Sequence, residues 1–149
     1  MTQRTALVLH GGAGPLASRD YDAEIAHMHT LAEAGRDRLA AGDAALNIVT
    51  DIVRELEASG LYVAGKGTSP NSVGRYELDA SIMEGQTRRA GAISALEGFL
   101  SPIDVARTVM SETYHVLLSG NGAADFARQH SLAEVKDPDA YYTPAAVPD

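Results

Sequence analysis

Apolar positions fall into two kinds of pattern along this chain. From Thr5 to Gly12, "TALVLHGG", a short apolar run ended by glycine predicts a short buried strand, with a tight turn over "GGAGP" after it. From about Asp22 the spacing changes. Ile25, Met28, Ala32, Gly35 and Leu39 recur at steps of three and four, which predicts a helix with Gly42 at its C-terminal cap. Asp43 suits the N-cap of a second helix. There Ala45, Ile48, Val49, Ile52, Val53 and Leu56 form a wide apolar stripe, ended by Ser59-Gly60. No period follows until about Val73. Tyr76, Leu78, Ala80 and Ile82 then alternate as a strand does, and "RRAGAISALEGF" reads as its hairpin partner through Glu84-Gly85-Gln86. Ser101 as N-cap, Pro102 at the first position and Asp104 open another helix. "HVLLSG" predicts a short strand and "GAADFARQH" a short helix. The order β, α, α, β, β, α, β, α does not fit a simple βαβ fold, and predicts an α+β domain with an antiparallel or mixed sheet. Residues 1–130 carry the domain. Residues 131–149 are rich in proline and predict an extended or flexible tail.

Composition narrows the function classes. The chain has 149 residues, 45% of them apolar, with a formal net charge of −8. That charge, with no run of lysines and arginines along the chain, disfavours nucleic acid and anionic membrane as partners. There are no cysteines, which excludes disulfides and thiolate metal sites and fits a cytoplasmic setting. The N-terminal apolar stretch is too short for a signal peptide, and no segment approaches a membrane span.

The residues alone show no catalytic set. "HGGAGP" is a structural turn or an anion cradle, but its glycine spacing is not that of a dinucleotide loop. "GKGTSP" lacks the remainder of a phosphate loop. His27 and His29 point apart on a helix, and no metal-ligand spacing occurs among the histidines. His10 closes the first predicted strand, where sites often form, though a structural role is the commoner one. Asp79 is either a catalytic carboxylate or a buried acceptor of backbone N–H groups that fixes the glycine-rich loop before it. Arg88-Arg89 is either solvated or its partner.

Several blocks nevertheless occur together in a telling order: "LVLHGGAG", "LYVAGKG", "ELDASIMEG", "RAGAISAL" and "SPIDVARTVM". They resemble the isoaspartyl peptidase and plant-type L-asparaginase family, whose stretches read like HGGAG, F-N-A-G-x-G, M-D-A-S-I-M-D-G, A-G-A-V-A and N-P-I-x-x-A-R-x-V-M. The likeness runs from about Leu7 to Phe126. It implies an N-terminal nucleophile hydrolase with an αββα four-layer sandwich, of which this chain supplies about half. In that family a precursor cleaves itself into α and β subunits. The first residue of β is a threonine that attacks the amide, with its own amine as base.

The resemblance thus implies an α subunit, with no catalytic residue in this chain and the nucleophile on a β subunit from the same precursor. The pairs would form a dimer, and isoaspartyl dipeptides would be the substrates, with L-asparagine an open second one. His10, Gly11, Gly12 and Val63 would line the cleft or assist processing, and Asp79 would support the wall. No organic cofactor is implied. A sodium ion would be held by the backbone carbonyls of Leu56, Glu57, Ser59, Tyr62, Ala64 and Lys66. The tail would lie near the cleavage linker, with Asp149 a possible scissile residue. One departure stands out: Val63 replaces the usual asparagine. Three other readings stay open. One is a glycosylasparaginase- or threonine-aspartase-like subunit, and another a binding domain without its β half. In the third, Thr2 itself is the nucleophile, against which Gln3-Arg4 argue.

Overall fold

The computed structural model describes residues 4–13 and 17–144. Thr2, the Gly14-Pro15 end of the glycine turn and residues 145–149, with Asp149, lie outside them. Two helices come first: α1 (Asp22–Ala40) and α2 (Ala45–Ser59). A single 3-10 turn (Gly65–Gly67) follows, then β1 (Leu78–Met83) and β2 (Ala90–Leu96). The chain continues through α3 (Pro102–Glu112), β3 (Leu117–Ser119), α4 (Gly120–Gln129) and a short α5 (Pro138–Tyr141). The fold is α+β. No described helix is long and apolar enough to cross a membrane.

The sheet is mixed, in the order β1-β2-β3, with β1 antiparallel and β3 parallel to β2. Register places Ala80, Ile93 and Leu118 in one row across it. That row faces the core, where Ile82, Ile93, Leu96 and Phe99 pack against Ile103, Val105, Ala106 and Val109 of α3 and Ala123, Ala124 and Ala127 of α4. The adjacent row is Ser81, Ala92 and Leu117. Nothing among the described elements covers it: Met83 is 61% exposed, and Ser81 and Leu117 are exposed too. One face of the sheet is closed by helices and the other stands open.

Gly91 sets how closely α3 approaches. A Cβ there would lie 2.1 Å from the Ala106 carbonyl oxygen and 2.5 Å from the Met110 amide nitrogen. At the far end of α3, Arg89 donates to the Met110 and Ser111 carbonyls, which terminal helix residues leave unpaired. It therefore serves the helix end, not Asp79.

Several sequence expectations are corrected. The strand expected over Thr5–Gly12 does not form. Leu7 and Leu9 are half-buried and Val8 is 89% exposed, a strand-like alternation, but no described strand lies beside it to complete a ladder. Asp43 does not cap α2. Its carboxylate pairs with Arg38 at 2.8 Å, and Ala44 takes the cap position without a side-chain bond. Ile25 and Val49, placed on apolar stripes, are 53% and 37% exposed. The tail is also more ordered than expected as far as Thr143: Asp137 caps α5 by accepting from Ala140 N–H, and Tyr142 is buried.

Candidate functional site: the carbonyl turn and its surroundings

After α2, Gly60 turns the chain at φ +73, and the backbone curls over Leu61–Thr68. Glycines let it curl tightly. A Cβ on Gly67 would lie 2.1 Å from the Tyr62 carbonyl oxygen and 2.9 Å from that of Gly60. One on Gly65, at φ +51, would lie 2.5 Å from the Glu57 carbonyl oxygen. Carbonyl oxygens of Glu57, Gly60 and Tyr62 thus crowd the turn. Hydrogen bonds orient several carbonyls of this stretch. Leu56 accepts from the Ser59 hydroxyl at 2.8 Å, Tyr62 from Ala64 N–H at 2.7 Å, Ala64 from Gly67 N–H at 3.0 Å and Lys66 from Thr143 N–H at 2.9 Å. A carbonyl oxygen has two lone pairs, so one such bond leaves the other available. A neutral, all-oxygen donor set of this kind fits a hard cation. Among the described residues no cluster of His, Asp or Glu side chains is placed to hold a metal.

The Glu57 side chain, which sequence reasoning missed, does separate work. It is 4% exposed, and its carboxylate accepts from the Ser101 hydroxyl and from Ile103 N–H, both at 2.9 Å. Ser101 occupies the N-cap position of α3 but makes no cap bond of its own. A carboxylate from α2 instead satisfies a terminal N–H and meets the positive end of the helix dipole. Burial pushes the Glu57 carboxyl up to about 7, against the pull of its two hydrogen bonds. A signal for it existed: Leu46, Thr50, Val53 and Glu57 run at steps of four, three and four toward α3.

Tyr62 links the turn to the N-terminal segment. Its buried hydroxyl donates to the Glu24 carbonyl at 3.0 Å and lies 3.3 Å from His27 Nδ1. Burial, with Glu24 nearby, pushes the phenol above its ordinary value. Gly11 lies against this ring, since a Cβ on it would stand 3.1 Å from Tyr62 Cε1 and 3.1 Å from Met28 Cε. The structure therefore brings Gly11 beside Tyr62, the neighbour of Val63. His10, Gly11 and Gly12 are exposed, and Val63 is 64% exposed.

Asp79 stands apart from the turn. Opposite it, β2 carries an extra residue between the pairs Leu78↔Leu96 and Ala80↔Ile93, with Ala95 at φ +50. Asp79 Oδ1 accepts the Ala95 N–H at 2.9 Å. It is exposed, and it holds a bulge in the sheet and not the glycine-rich loop.

One polar groove, of about 390 Å³, lies between α1, α2 and α3. Arg54 bridges Asp51 and Asp104 at 2.7 and 2.6 Å, and Arg38 pairs with Asp51 at 2.8 Å. Arg107 donates to Leu46 O and Thr50 Oγ1 at 3.2 Å. Its carboxylates are already neutralised by guanidinium groups and offer no free base. Among the described residues no serine or threonine hydroxyl bonds to a histidine ring. Among the described residues the site holds no nucleophile–base pair.

A family model described as Asparaginase matches residues 3–148. The chain is 40% identical to the isoaspartyl peptidase of Salmonella typhimurium, over 95% of this chain and 47% of that protein. It is 43% identical to the plant-type L-asparaginase of Pyrobaculum calidifontis, over 86% of this chain and 43% of that one. With the isoaspartyl peptidase/L-asparaginase of Danio rerio it shares 34%, over 88% and 42%. It thus spans less than half the length of each of these relatives, and it belongs to the asparaginase family.

Proposed function

We propose that this chain is the α part of a self-processed amide hydrolase that cleaves isoaspartyl dipeptides, with L-asparagine as a second substrate. The observation that carries the proposal is the 40% identity to an isoaspartyl peptidase across nearly the whole chain but under half of the relative. The open face of the sheet supports it. A row of Ser81, Ala92 and Leu117 is what a second sheet would cover in an αββα sandwich. The lack of a nucleophile–base pair among the described residues fits a reaction whose attacking group stands on the other polypeptide.

In this reading a β subunit from the same precursor supplies an N-terminal threonine. Its hydroxyl attacks the amide carbonyl and its own amine takes the proton and passes it to the departing amine as the C–N bond breaks; water then hydrolyses the acyl ester, which frees the acid and restores the hydroxyl. The exposed His10-Gly11-Gly12 segment and Val63 form part of the cleft wall, aligned through the Gly11–Tyr62 contact. The carbonyls of Leu56, Glu57, Ser59, Tyr62, Ala64 and Lys66 would hold a sodium ion, which supplies charge to stiffen the wall and takes no part in bond breaking. Pairs of subunits assemble as a dimer. The cysteine-free composition fits the cytoplasm.

Intact-mass and N-terminal sequence analysis of everything that co-purifies with this chain tests the proposal. A second polypeptide beginning with threonine, and hydrolysis of isoaspartyl dipeptides, are expected. A single unprocessed chain without hydrolysis would overturn it and leave a binding domain.

A further inference from the structure

We infer that the strap at Tyr142–Thr143 is a positioning element for the carbonyl turn, so that docking of the strap and binding of sodium are linked. This rests on the reading of the turn as a sodium site. Tyr142 lies beyond the last helix, yet it is 5% exposed. Its ring stacks on Tyr76 at 4.2 Å with 16° between the planes, and Tyr141 meets it edge-on at 5.1 Å. These contacts fix the register of the next residue. Thr143 N–H donates to the Lys66 carbonyl at 2.9 Å. The Thr143 hydroxyl lies 3.1 Å from where a Cβ on Gly60 would stand. The strap thus touches the turn at both ends, Gly60 where it opens and Lys66 where it closes.

The Lys66 carbonyl has two lone pairs, and the strap engages one. That bond sets the direction of the carbonyl before any cation arrives. A preset donor need not be ordered on binding, which raises affinity without adding a ligand. Coupling is reciprocal, so a cation at the turn must hold the strap down in the same measure.

The test uses the intact protein. Its thermal midpoint is followed against sodium chloride, with choline chloride keeping ionic strength constant, for the wild type, Thr143→Pro and Tyr142→Ala. Thr143→Pro removes the N–H, and Tyr142 already sits at φ −74 and ψ 125, a conformation accepted before proline. The wild-type midpoint should rise with sodium, and exchange of the Thr143 amide should slow. The half-saturating sodium concentration should rise about fivefold in Thr143→Pro, the worth of one ordinary hydrogen bond. Thr143→Val, which keeps the N–H, should bind as the wild type does. A sodium-responsive wild type with an unchanged Thr143→Pro would overturn the linkage and leave the sodium site standing. An equal loss in Thr143→Val would also overturn it. A wild type indifferent to sodium would overturn both. Where Tyr142→Ala fails to fold, Thr143→Pro decides.

Discussion

Glycine brings backbone against backbone in two regions, with opposite results. At the seam between the sheet and α3, the absent side chain of Gly91 lets a helix settle on a strand, and the surroundings are apolar: Ile93, Val105, Val109. At the turn after α2, the absent side chains of Gly65 and Gly67 admit carbonyl oxygens. The first approach seals a dry core. The second gathers carbonyl dipoles, the ends that the proposed cation would meet. A glycine therefore reports that backbone comes close; the nearest atom is a carbonyl oxygen in both regions, and what tells them apart is the apolar core around one and the further carbonyls around the other.

The comparison can be broken most forcefully at Gly91. Gly91→Ala drives a methyl into the α3 backbone, and the expected loss is about 3 kcal/mol in urea unfolding. Sodium should not rescue it, because the seam is packed apolar core away from the turn. Glu57 joins the two regions, with its carbonyl at the turn and its carboxylate at the start of α3. Glu57→Ala strands the Ile103 N–H and should cost about 2 kcal/mol by the same measurement, with Glu57→Gln losing less. A loss as small in Ala as in Gln would show that the cap is dispensable. Val63 probes what the turn presents outward. Val63→Asn should leave stability within about 0.5 kcal/mol. It should move the kcat/KM preference between an isoaspartyl dipeptide and L-asparagine about fivefold, one hydrogen bond's worth. An unchanged profile would remove Val63 from the cleft.

The smallest effect lies outside both regions. Desolvation would raise the Asp51 carboxyl, but its bonds to Arg54 and Arg38 outweigh this and hold it below its ordinary value. Its contribution to stability is therefore present above the usual carboxylate range and lost as pH falls through it. Asp51→Asn should slightly flatten the acid side of a stability–pH curve. Salt should shrink the effect, since the pair is partly exposed.

Elements with local causes were legible in the sequence. Periodicity placed α1, α2, the β1–β2 hairpin and α3. Non-local causes were hidden. The run at Leu7–Leu9 has the composition of a strand, but a ladder needs a neighbour that no local pattern supplies. Asp43 looks like a cap until Arg38, five residues back, claims it. Tyr142 has no period at all, and its place depends on Tyr76, far away in sequence. The open face of the sheet was legible only through the family likeness, because alternation marks two faces and does not tell which neighbour covers each.

The Glu57 cap has a consequence for the order of folding. Its partners Ser101 and Ile103 lie 44 and 46 residues away, so forming it from the open chain means closing a loop that costs about 3 kcal/mol in entropy. The β1–β2 hairpin lies inside that loop and closes over a much shorter distance. Once the hairpin is made, the free length shrinks and α3 can swing back onto α2. The cap then forms late, and the Glu57→Ala loss should fall mainly on the unfolding rate, leaving the folding rate nearly unchanged.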